Sequence, residues 1–160
     1  MGKIITLKNI KSISDKLHAQ NKKIVLVGGS FDILHVGHIL FLEEAKNAGD
    51  ILFVEVESDE RIRRLKGKSR PINSQSNRVC VLSRLNMVDY VIPLPANLSD
   101  QDYLTITKKV QPAILATTKG DPKNVHLTRQ AKILGIEVKE VLSFIEGKST
   151  SRMVNTLGLD

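Results

Sequence analysis

Two histidines follow an apolar segment that ends in two glycines, in the stretch GGSFDILHVGH over residues 28–38. His35 and His38 are three positions apart, so on a helix both imidazoles share one face. Open α/β sheets bind ligands where strands end and helix N-termini present free amide groups. Gly28 and Gly29 let the backbone approach an anion closely, because neither carries a Cβ atom. The pattern predicts a phosphate site at a strand-to-helix junction.

Other uses of this stretch are less favoured. It contains neither the GK[ST] of a P-loop nor the GxGxxG of a dinucleotide site. Two histidines three apart also suit a metal, but Asp32 is the only acidic or cysteine residue beside them. Protein-held metals usually take three or four such ligands. We therefore predict no metal held by the protein itself.

The chain has a net charge of +7, and six cations fall within ten residues. They are Arg61, Arg63, Arg64, Lys66, Lys68 and Arg70. Nucleic-acid binders usually add aromatic stacking platforms, whereas aromatic residues make up only 4% here and tryptophan is absent. The cluster favours a phosphorylated small molecule over nucleic acid as the partner. For any single cation, a solvated helix face is the alternative.

Short β-branched runs alternate with amphipathic stretches, which predicts βα units around a parallel sheet. We expect an α/β fold, a Rossmann-like three-layer α/β/α arrangement with about five parallel strands. The predicted strands are residues 23–29, 51–58, 89–94, 113–118 and 136–142. The predicted helices are residues 9–21, 36–49, a short basic one from Ser58, then 75–87, 99–110, 123–134 and one from Ser149 onward. Gly49 is expected to cap the second helix, and Lys46 is interpreted as a solvated residue on it.

Composition indicates a globular protein, since 41% of residues are hydrophobic and 26% are charged. We expect one domain over residues 1–160, with residues 1–22 as a leading helical extension packed on it. The single Cys80 excludes a disulfide framework. No apolar run approaches the ~20 residues that a membrane helix needs. A cytoplasmic location is the simplest expectation.

Residues 29–38, GSFDILHVGH, resemble the G-x-F-D-x-x-H-x-G-H signature of the cytidylyltransferase-like nucleotidyltransferases. Further stretches follow in that family's order: AKNAGD, SDERIRRLKGKSRPIN, MVDYVI and EGKSTS. Within the family the chain most resembles the adenylyltransferase domain of the bacterial heptose 1-phosphate enzymes, above all in RLKGKSRPIN. The resemblance implies an enzyme of carbohydrate metabolism with the HxGH nucleotidyltransferase fold. It would transfer a nucleoside monophosphate from an NTP, with ATP favoured, to a sugar phosphate such as heptose 1-phosphate, releasing pyrophosphate.

The resemblance also assigns roles to individual residues. The implied catalytic residues are His35, His38 and Lys66. The implied nucleotide contacts are Gly29, Ser30, Phe31, His35, His38, Lys68, Gly120, Asp121, Ser149, Thr150 and Ser151. The implied acceptor contacts are Asp32, which also suits a role in shaping the turn, Lys66 and Arg78. Mg²⁺ is expected with the nucleotide phosphates, and a homodimer is the oligomer that the family commonly forms.

The chain departs from the family pattern at three places. Where relatives carry KGGDY or MGDD, this sequence reads TTKGDP, with Gly120 and Asp121 displaced by a residue. Asn86 and Phe144 replace two arginines of the cytidylyltransferases, which disfavours glycerol 3-phosphate as the acceptor. Two alternatives stay open. One is a CTP-dependent cytidylyltransferase for glycerol 3-phosphate or another alcohol phosphate, and the other is a nucleotide-binding regulatory protein without turnover.

Overall fold

A parallel sheet forms the centre of the molecule. The computed structural model describes residues 1–121, 124–143 and 158, and within them the sheet has six strands. They are β1 Lys3–Ile4, β2 Ile24–Gly29, β3 Ile51–Val56, β4 Tyr90–Pro93, β5 Ile114–Lys119 and β6 Glu137–Ser143. Their order is β1-β4-β3-β2-β5-β6, and every neighbouring pair is parallel. Strand order therefore reverses between β2 and β5, where open α/β sheets bind ligands.

Helices cover both faces of this sheet, so the predicted Rossmann-like three-layer fold is confirmed. They are α1 Ile10–Ala19, α2 Val36–Asn47, α3 Asp59–Lys66, α4 Gln75–Ser83, α5 Asp100–Val110 and α6 Asn124–Leu134. Serine side chains cap three of them, Ser58 at α3, Ser74 at α4 and Ser99 at α5. Within the described residues, no helix is both long enough and apolar enough to cross a bilayer.

Two differences from the predicted elements are small, and one predicted helix is not tested. The count of about five strands missed β1, a two-residue strand that pairs with β4 at the sheet edge. The helix predicted at 75–87 ends at Ser83, because the chain turns through residues 84–87 before β4. The helix predicted from Ser149 onward lies outside the described residues.

The core lies in two layers, one on each side of the sheet. On one face, α2 and α4 contribute Leu42, Ala45, Val79 and Leu82 to a cluster with β-strand valines and leucines. On the other face, α1, α5 and α6 contribute Ile10, Leu17, Ile106, Val110 and Ala131. The central strands β2 and β3 are buried on both sides, which is why they read as continuous apolar runs.

Charged side chains tie together the amino edge of the sheet. Asp89, just before β4, accepts from Lys46 Nζ at 2.6 Å and from the Leu52 amide of β3 at 2.7 Å. Lys46 is 29% exposed in this ion pair, so its interpretation as a solvated residue is wrong. Asp50 Oδ2 accepts from the Lys23 amide at 2.7 Å.

Gly49 has a different role from the predicted helix cap. The C-cap of α2 is Ala48, in a right-handed conformation. A Cβ atom on Gly49 would lie 2.7 Å from Val25 Cγ2 and 2.8 Å from the Lys23 carbonyl oxygen. Glycine is needed here because the chain passes this close to β2.

Candidate active site

The predicted phosphate site lies at the carboxyl end of β2. The strand ends at Gly29 and α2 begins at Val36, with His35 as an N-cap residue in extended backbone (φ −140°, ψ 170°). The His35 and His38 rings stack with centroids 3.9 Å apart and planes inclined by 29°. The two imidazoles are adjacent as predicted, although His35 precedes the helix rather than lying on it. The first-turn amides of α2 begin at the same point, and such amides favour anions.

Phe31 shapes the turn between the strand and the helix. Its backbone φ of 46° is unusual for a bulky side chain, and such strain is found mainly at functional sites. The ring is buried and its centroid lies 5.4 Å from that of His38. A Cβ atom on Gly29 would come within 2.9 Å of this ring. Glycine at position 29 therefore makes room for Phe31, which in turn packs beside His38.

His38 is held in its uncharged form. Burial, together with the positive charges of His35 and Lys66, lowers the pKa of His38 to about 4. Its Nδ1 atom is buried and has no hydrogen-bond partner among the described residues. At neutral pH the imidazole is therefore a neutral group, with one nitrogen that donates a hydrogen bond and one that accepts.

Lys66 reaches the same turn from the end of α3. Its ammonium group donates to Ser30 Oγ at 3.1 Å. Three residues to which the sequence assigned phosphate chemistry, Ser30, His38 and Lys66, thus converge on the carboxyl end of β2. Lys68 lies two residues further on, in the exposed turn after α3.

Asp32 has a structural role in the described structure. Its side chain is fully buried and forms an ion pair with Arg70 Nη2 at 2.6 Å. It also accepts from the amides of Ile72 and Asn73 at 3.0 and 2.9 Å. Although burial acts to raise it, these hydrogen bonds and the Arg70 charge lower the pKa of Asp32 below its ordinary value. The predicted direct contact with the acceptor is not supported, because the carboxylate holds the 70–73 loop against the turn.

Arg78 is likewise a positioning residue. Its side chain is 1% exposed, so both the predicted acceptor contact and the alternative of a surface helix charge are unsupported. The guanidinium donates to the carbonyl oxygens of Asn73 (2.9 Å), Ser30 (2.6 Å) and Glu57 (2.9 Å). It also pairs with Asp59 Oδ1 at 2.6 Å. One side chain therefore joins the β2 turn, the end of β3, the start of α3 and the 70–73 loop.

The remaining predicted contacts lie in two places. Gly120 (φ 79°) and Asp121 follow β5, and the Asp121 amide donates to the Thr118 carbonyl oxygen at 3.2 Å. Because β5 pairs with β2, both residues lie at the same carboxyl edge as Gly29. Ser149, Thr150 and Ser151 lie outside the described residues.

Sequence reasoning missed several residues that support the site. Arg70 was assigned to the phosphate cluster, yet it is buried against Asp32. Asn73 donates from its side-chain amide to the Asp32 carbonyl oxygen at 2.7 Å. Gln75 donates to the carbonyl oxygens of Val56 and Leu94 at 2.9 and 2.7 Å, which joins the ends of β3 and β4. No local pattern marks these residues, because their partners are 19 to 41 positions away.

Residues 1–121 and 124–143 contain no group of three or more His, Cys, Asp or Glu side chains placed to hold a metal ion.

Comparison with known proteins places this site in a family. The family model described as cytidylyltransferase-like matches residues 26–146, which include the junction and the carboxyl edge of the sheet. The chain is 42% identical over 151 residues to the bifunctional protein HldE of a Nitratiruptor species, covering 92% of this chain and 30% of that protein. It is 36% identical over 154 residues to the bifunctional protein HldE of Aliarcobacter butzleri, covering 96% of this chain and 31% of that protein. The chain thus spans about three-tenths of the length of these curated relatives.

Two solved structures have similar folds. The lipopolysaccharide core biosynthesis protein from Thermoplasma volcanium has a TM-score of 0.61 and 31% identity, with 79% of this chain and 99% of that chain covered. Pantoate-beta-alanine ligase from Francisella tularensis has a TM-score of 0.67 at 17% identity, with 92% of this chain and 69% of that chain covered. This second likeness supports the fold alone. With the family model matching most of the sequence around a glycine-ended strand and two stacked histidines, the chain belongs to the cytidylyltransferase-like family.

Proposed function

We propose that this chain is a nucleotidyltransferase that transfers AMP from ATP to a sugar phosphate, with heptose 1-phosphate as the acceptor. The observation that carries the proposal is the stacked His35–His38 pair at the start of α2, with Lys66 bonded to Ser30 in the same turn. Family membership supports the reaction class. The sequence resemblance to the adenylyltransferase domain of the heptose 1-phosphate enzymes supports ATP and the acceptor.

The reaction needs no protein nucleophile. A phosphomonoester has a second pKa of ~6, so near neutral pH its oxygen is already charged. That oxygen attacks the α-phosphorus of ATP and forms the new P–O bond as the bond to pyrophosphate breaks. Catalysis then consists of positioning and of stabilising the charge on the transferring and leaving phosphates.

The residues at the turn supply those two functions. His38 is neutral, so it can donate a hydrogen bond to a phosphate oxygen, and His35 lies stacked against it. Lys66 contributes positive charge beside Ser30, where an acceptor phosphate would lie. Arg78 and Asp32 hold the turn and the adjacent loop in register. When Mg²⁺ accompanies the nucleotide, it neutralises charge on the phosphate oxygens.

A matrix assay tests this proposal. Pyrophosphate release is measured with ATP, CTP, GTP and UTP against heptose 1-phosphate, glycerol 3-phosphate and phosphoethanolamine, and the product is identified by mass spectrometry. We expect turnover with ATP and heptose 1-phosphate. Turnover with CTP alone would reject the adenylyl assignment. Saturable nucleotide binding without turnover for any pair would favour a regulatory protein.

A further inference from the structure

A second group of polar side chains lies at the carboxyl edge, on the opposite face of the sheet from α2. Side chains alternate along a strand, so Glu55 and Glu57 share a face with Phe53, which packs in the α1, α5 and α6 core. Tyr103 of α5 donates from its hydroxyl to Glu57 Oε2 at 2.7 Å. The Arg61 guanidinium lies 5.8 Å from the centroid of the Tyr103 ring. We call Glu55, Glu57, Arg61 and Tyr103 the Glu55 cluster.

The cluster has polar atoms with no partner among the described residues. Glu55 is only 8% exposed, and its Oε1 atom is buried without a hydrogen bond there. Arg61 Nε is also buried and has no hydrogen-bond partner among the described residues. A buried polar group left unsatisfied costs free energy, so such groups call for an explanation. A ligand that forms hydrogen bonds with both Glu55 Oε1 and Arg61 Nε provides such an explanation.

The chemistry of the cluster identifies the kind of ligand. Burial and the nearby Glu57 charge raise the pKa of Glu55 to about 8, so at neutral pH its carboxyl group both donates and accepts hydrogen bonds. Arg61 Nε is a donor. Hydroxyl groups match such a mixture, because each also donates and accepts. Two adjacent carboxyl groups disfavour a phosphate at this point.

The position of the cluster assigns it to the acceptor. The nucleotide is expected at the reversal of strand order between β2 and β5. β3 lies on the other side of β2, and Glu55 pairs with Gly28, two residues before Ser30. The Glu55 Oε2 atom lies 3.5 Å from the Cβ position of Gly28, so the missing side chain leaves room for the carboxyl group. Lys66 is the last residue of α3, the helix that also carries Arg61.

We propose that Glu55, with Glu57, Arg61 and Tyr103, forms a subsite that hydrogen-bonds the hydroxyl groups of a polyhydroxylated acceptor. The subsite rests on the proposed function for its partner, since it selects a sugar phosphate over a short alcohol phosphate. Lys66 holds the phosphate of that acceptor, and the Glu55 cluster holds its sugar.

Equilibrium binding tests the subsite without requiring turnover. Isothermal titration calorimetry compares heptose 1-phosphate, glycerol 3-phosphate and inorganic phosphate on the wild type, Glu55→Leu and Glu55→Gln. We expect Glu55→Leu to weaken heptose 1-phosphate about tenfold or more, as loss of one or two hydrogen bonds predicts, and to leave inorganic phosphate within about twofold. Glu55→Gln keeps a donor and an acceptor and should restore most of the affinity. Glu137→Leu, at an exposed glutamate of β6, is the matched control.

A second variant guards against misfolding of Glu55→Leu. Tyr103→Phe removes only the hydroxyl that orients Glu57, and we expect it to weaken heptose 1-phosphate about threefold or more. The subsite is rejected if neither variant changes that affinity, if both weaken inorganic phosphate equally, if wild type binds no heptose 1-phosphate, or if glycerol 3-phosphate binds more tightly. Sugar binding that depends on Glu55 but gives no pyrophosphate would reject the proposed function and retain the subsite. Turnover whose KM for heptose 1-phosphate is unchanged by substitution of Glu55 would reject the subsite and retain the proposed function.

Discussion

The charge state of His38 decides how this side chain would bind phosphate in the proposed reaction. Because the pKa of His38 in the folded protein is about 4, the imidazole is neutral throughout the range above about pH 6 in which a phosphomonoester carries its second negative charge. We expect the His38 ring resonances to titrate with a midpoint near pH 4 in a two-dimensional NMR series. The His38→Ala spectrum assigns the signal. A midpoint above about pH 6, the ordinary range of histidine, would show that the group carries charge during catalysis.

Removing either stacked histidine should affect rate more than stability. We expect His38→Ala and His35→Ala to lower kcat by about 100-fold, the usual effect of losing one donor to a transition-state oxygen. Their unfolding free energies should change by only about 1 kcal/mol, because both residues are partly exposed. Pyrophosphate release and urea denaturation measure the two effects, with the exposed His126→Ala as the control. If the variants unfold instead, the role of the two histidines is to stabilise the core of the fold.

For individual residues, the sequence predicted which ones lie close together but not what each one contacts. The spacing within residues 28–38 was sufficient to place both histidines at a strand-to-helix junction. It was not sufficient for Asp32, Arg70 or Arg78, which the sequence pattern indicates as ligand contacts or surface charges. Their partners lie far along the chain, so only the folded structure brings them together. The acids at positions 55 and 57 alternate with Val54 and Val56, and this pattern was the one available signal for the Glu55 cluster.

Arg78 joins the 70–73 loop to the β2 turn, the end of β3 and the start of α3. Arg78→Met should lose about 3–5 kcal/mol of unfolding free energy, because Asp59 and three carbonyl oxygens would be left without their donor. Arg78→Lys should recover little, since an ammonium group cannot reach all four acceptors. Urea denaturation compares both with Arg63→Met, at an exposed position on α3. Equal stability of Arg78→Lys and wild type would contradict this account.

The central strand β3 contains a group whose ionisation opposes folding. The folded-state pKa of Glu55, about 8, lies above its ordinary value of 4.5, so between these values the folded state binds more protons. The Glu55 contribution to stability is full below pH 4.5 and is lost as the pH rises through 8. Glu55→Gln should therefore flatten the stability profile between pH 4.5 and about 8, by an amount on the order of a few kcal/mol. Urea denaturation across that range, with Glu137→Gln as the control, checks it. Stability profiles of wild type and Glu55→Gln that run parallel across this range would contradict the expectation.

At the element scale, periodicity and capping residues predicted nearly every helix and strand. The serines at which α3, α4 and α5 begin, Ser58, Ser74 and Ser99, each accept a hydrogen bond from a backbone amide of the first turn. The two-residue strand β1 was missed, because so short a segment has no periodicity and forms only by pairing with β4. Propensity alone cannot find an element that its neighbour creates.

The first residues of the chain form β1, which pairs with β4 at one edge of the sheet. The Lys3 and Ile5 amides donate to the Asp89 and Val91 carbonyl oxygens at 2.8 and 2.9 Å, and Ile5 is buried. Deleting residues 1–5 should expose the β4 edge and lower Tm by about 4 °C or more. Ile4→Thr is the control, since Ile4 is exposed and the backbone pairing is kept. Thermal denaturation and size-exclusion chromatography measure the loss of stability and any aggregation. An unchanged Tm would show that the strand is dispensable.

Two expectations about the whole molecule stay predictions. The description of residues 1–160 as one domain with a leading extension is one, and the homodimer is the other. Light scattering of the purified chain, with and without ATP, decides the oligomeric state. The Rossmann-like architecture itself followed from the sequence, because alternating strands and helices permit few other arrangements.

The ties at the amino edge of the sheet have a consequence for protein engineering. Asp89, Lys46 and Asp50 fasten the strands at the end opposite the histidines, so the attachments there are separate from the catalytic groups. We therefore expect substitutions that strengthen this edge to raise Tm without lowering turnover. Conversely, the loops at the carboxyl edge can diverge toward new acceptors while the far edge keeps the scaffold intact. The fold thus allows robustness and specificity to be altered independently.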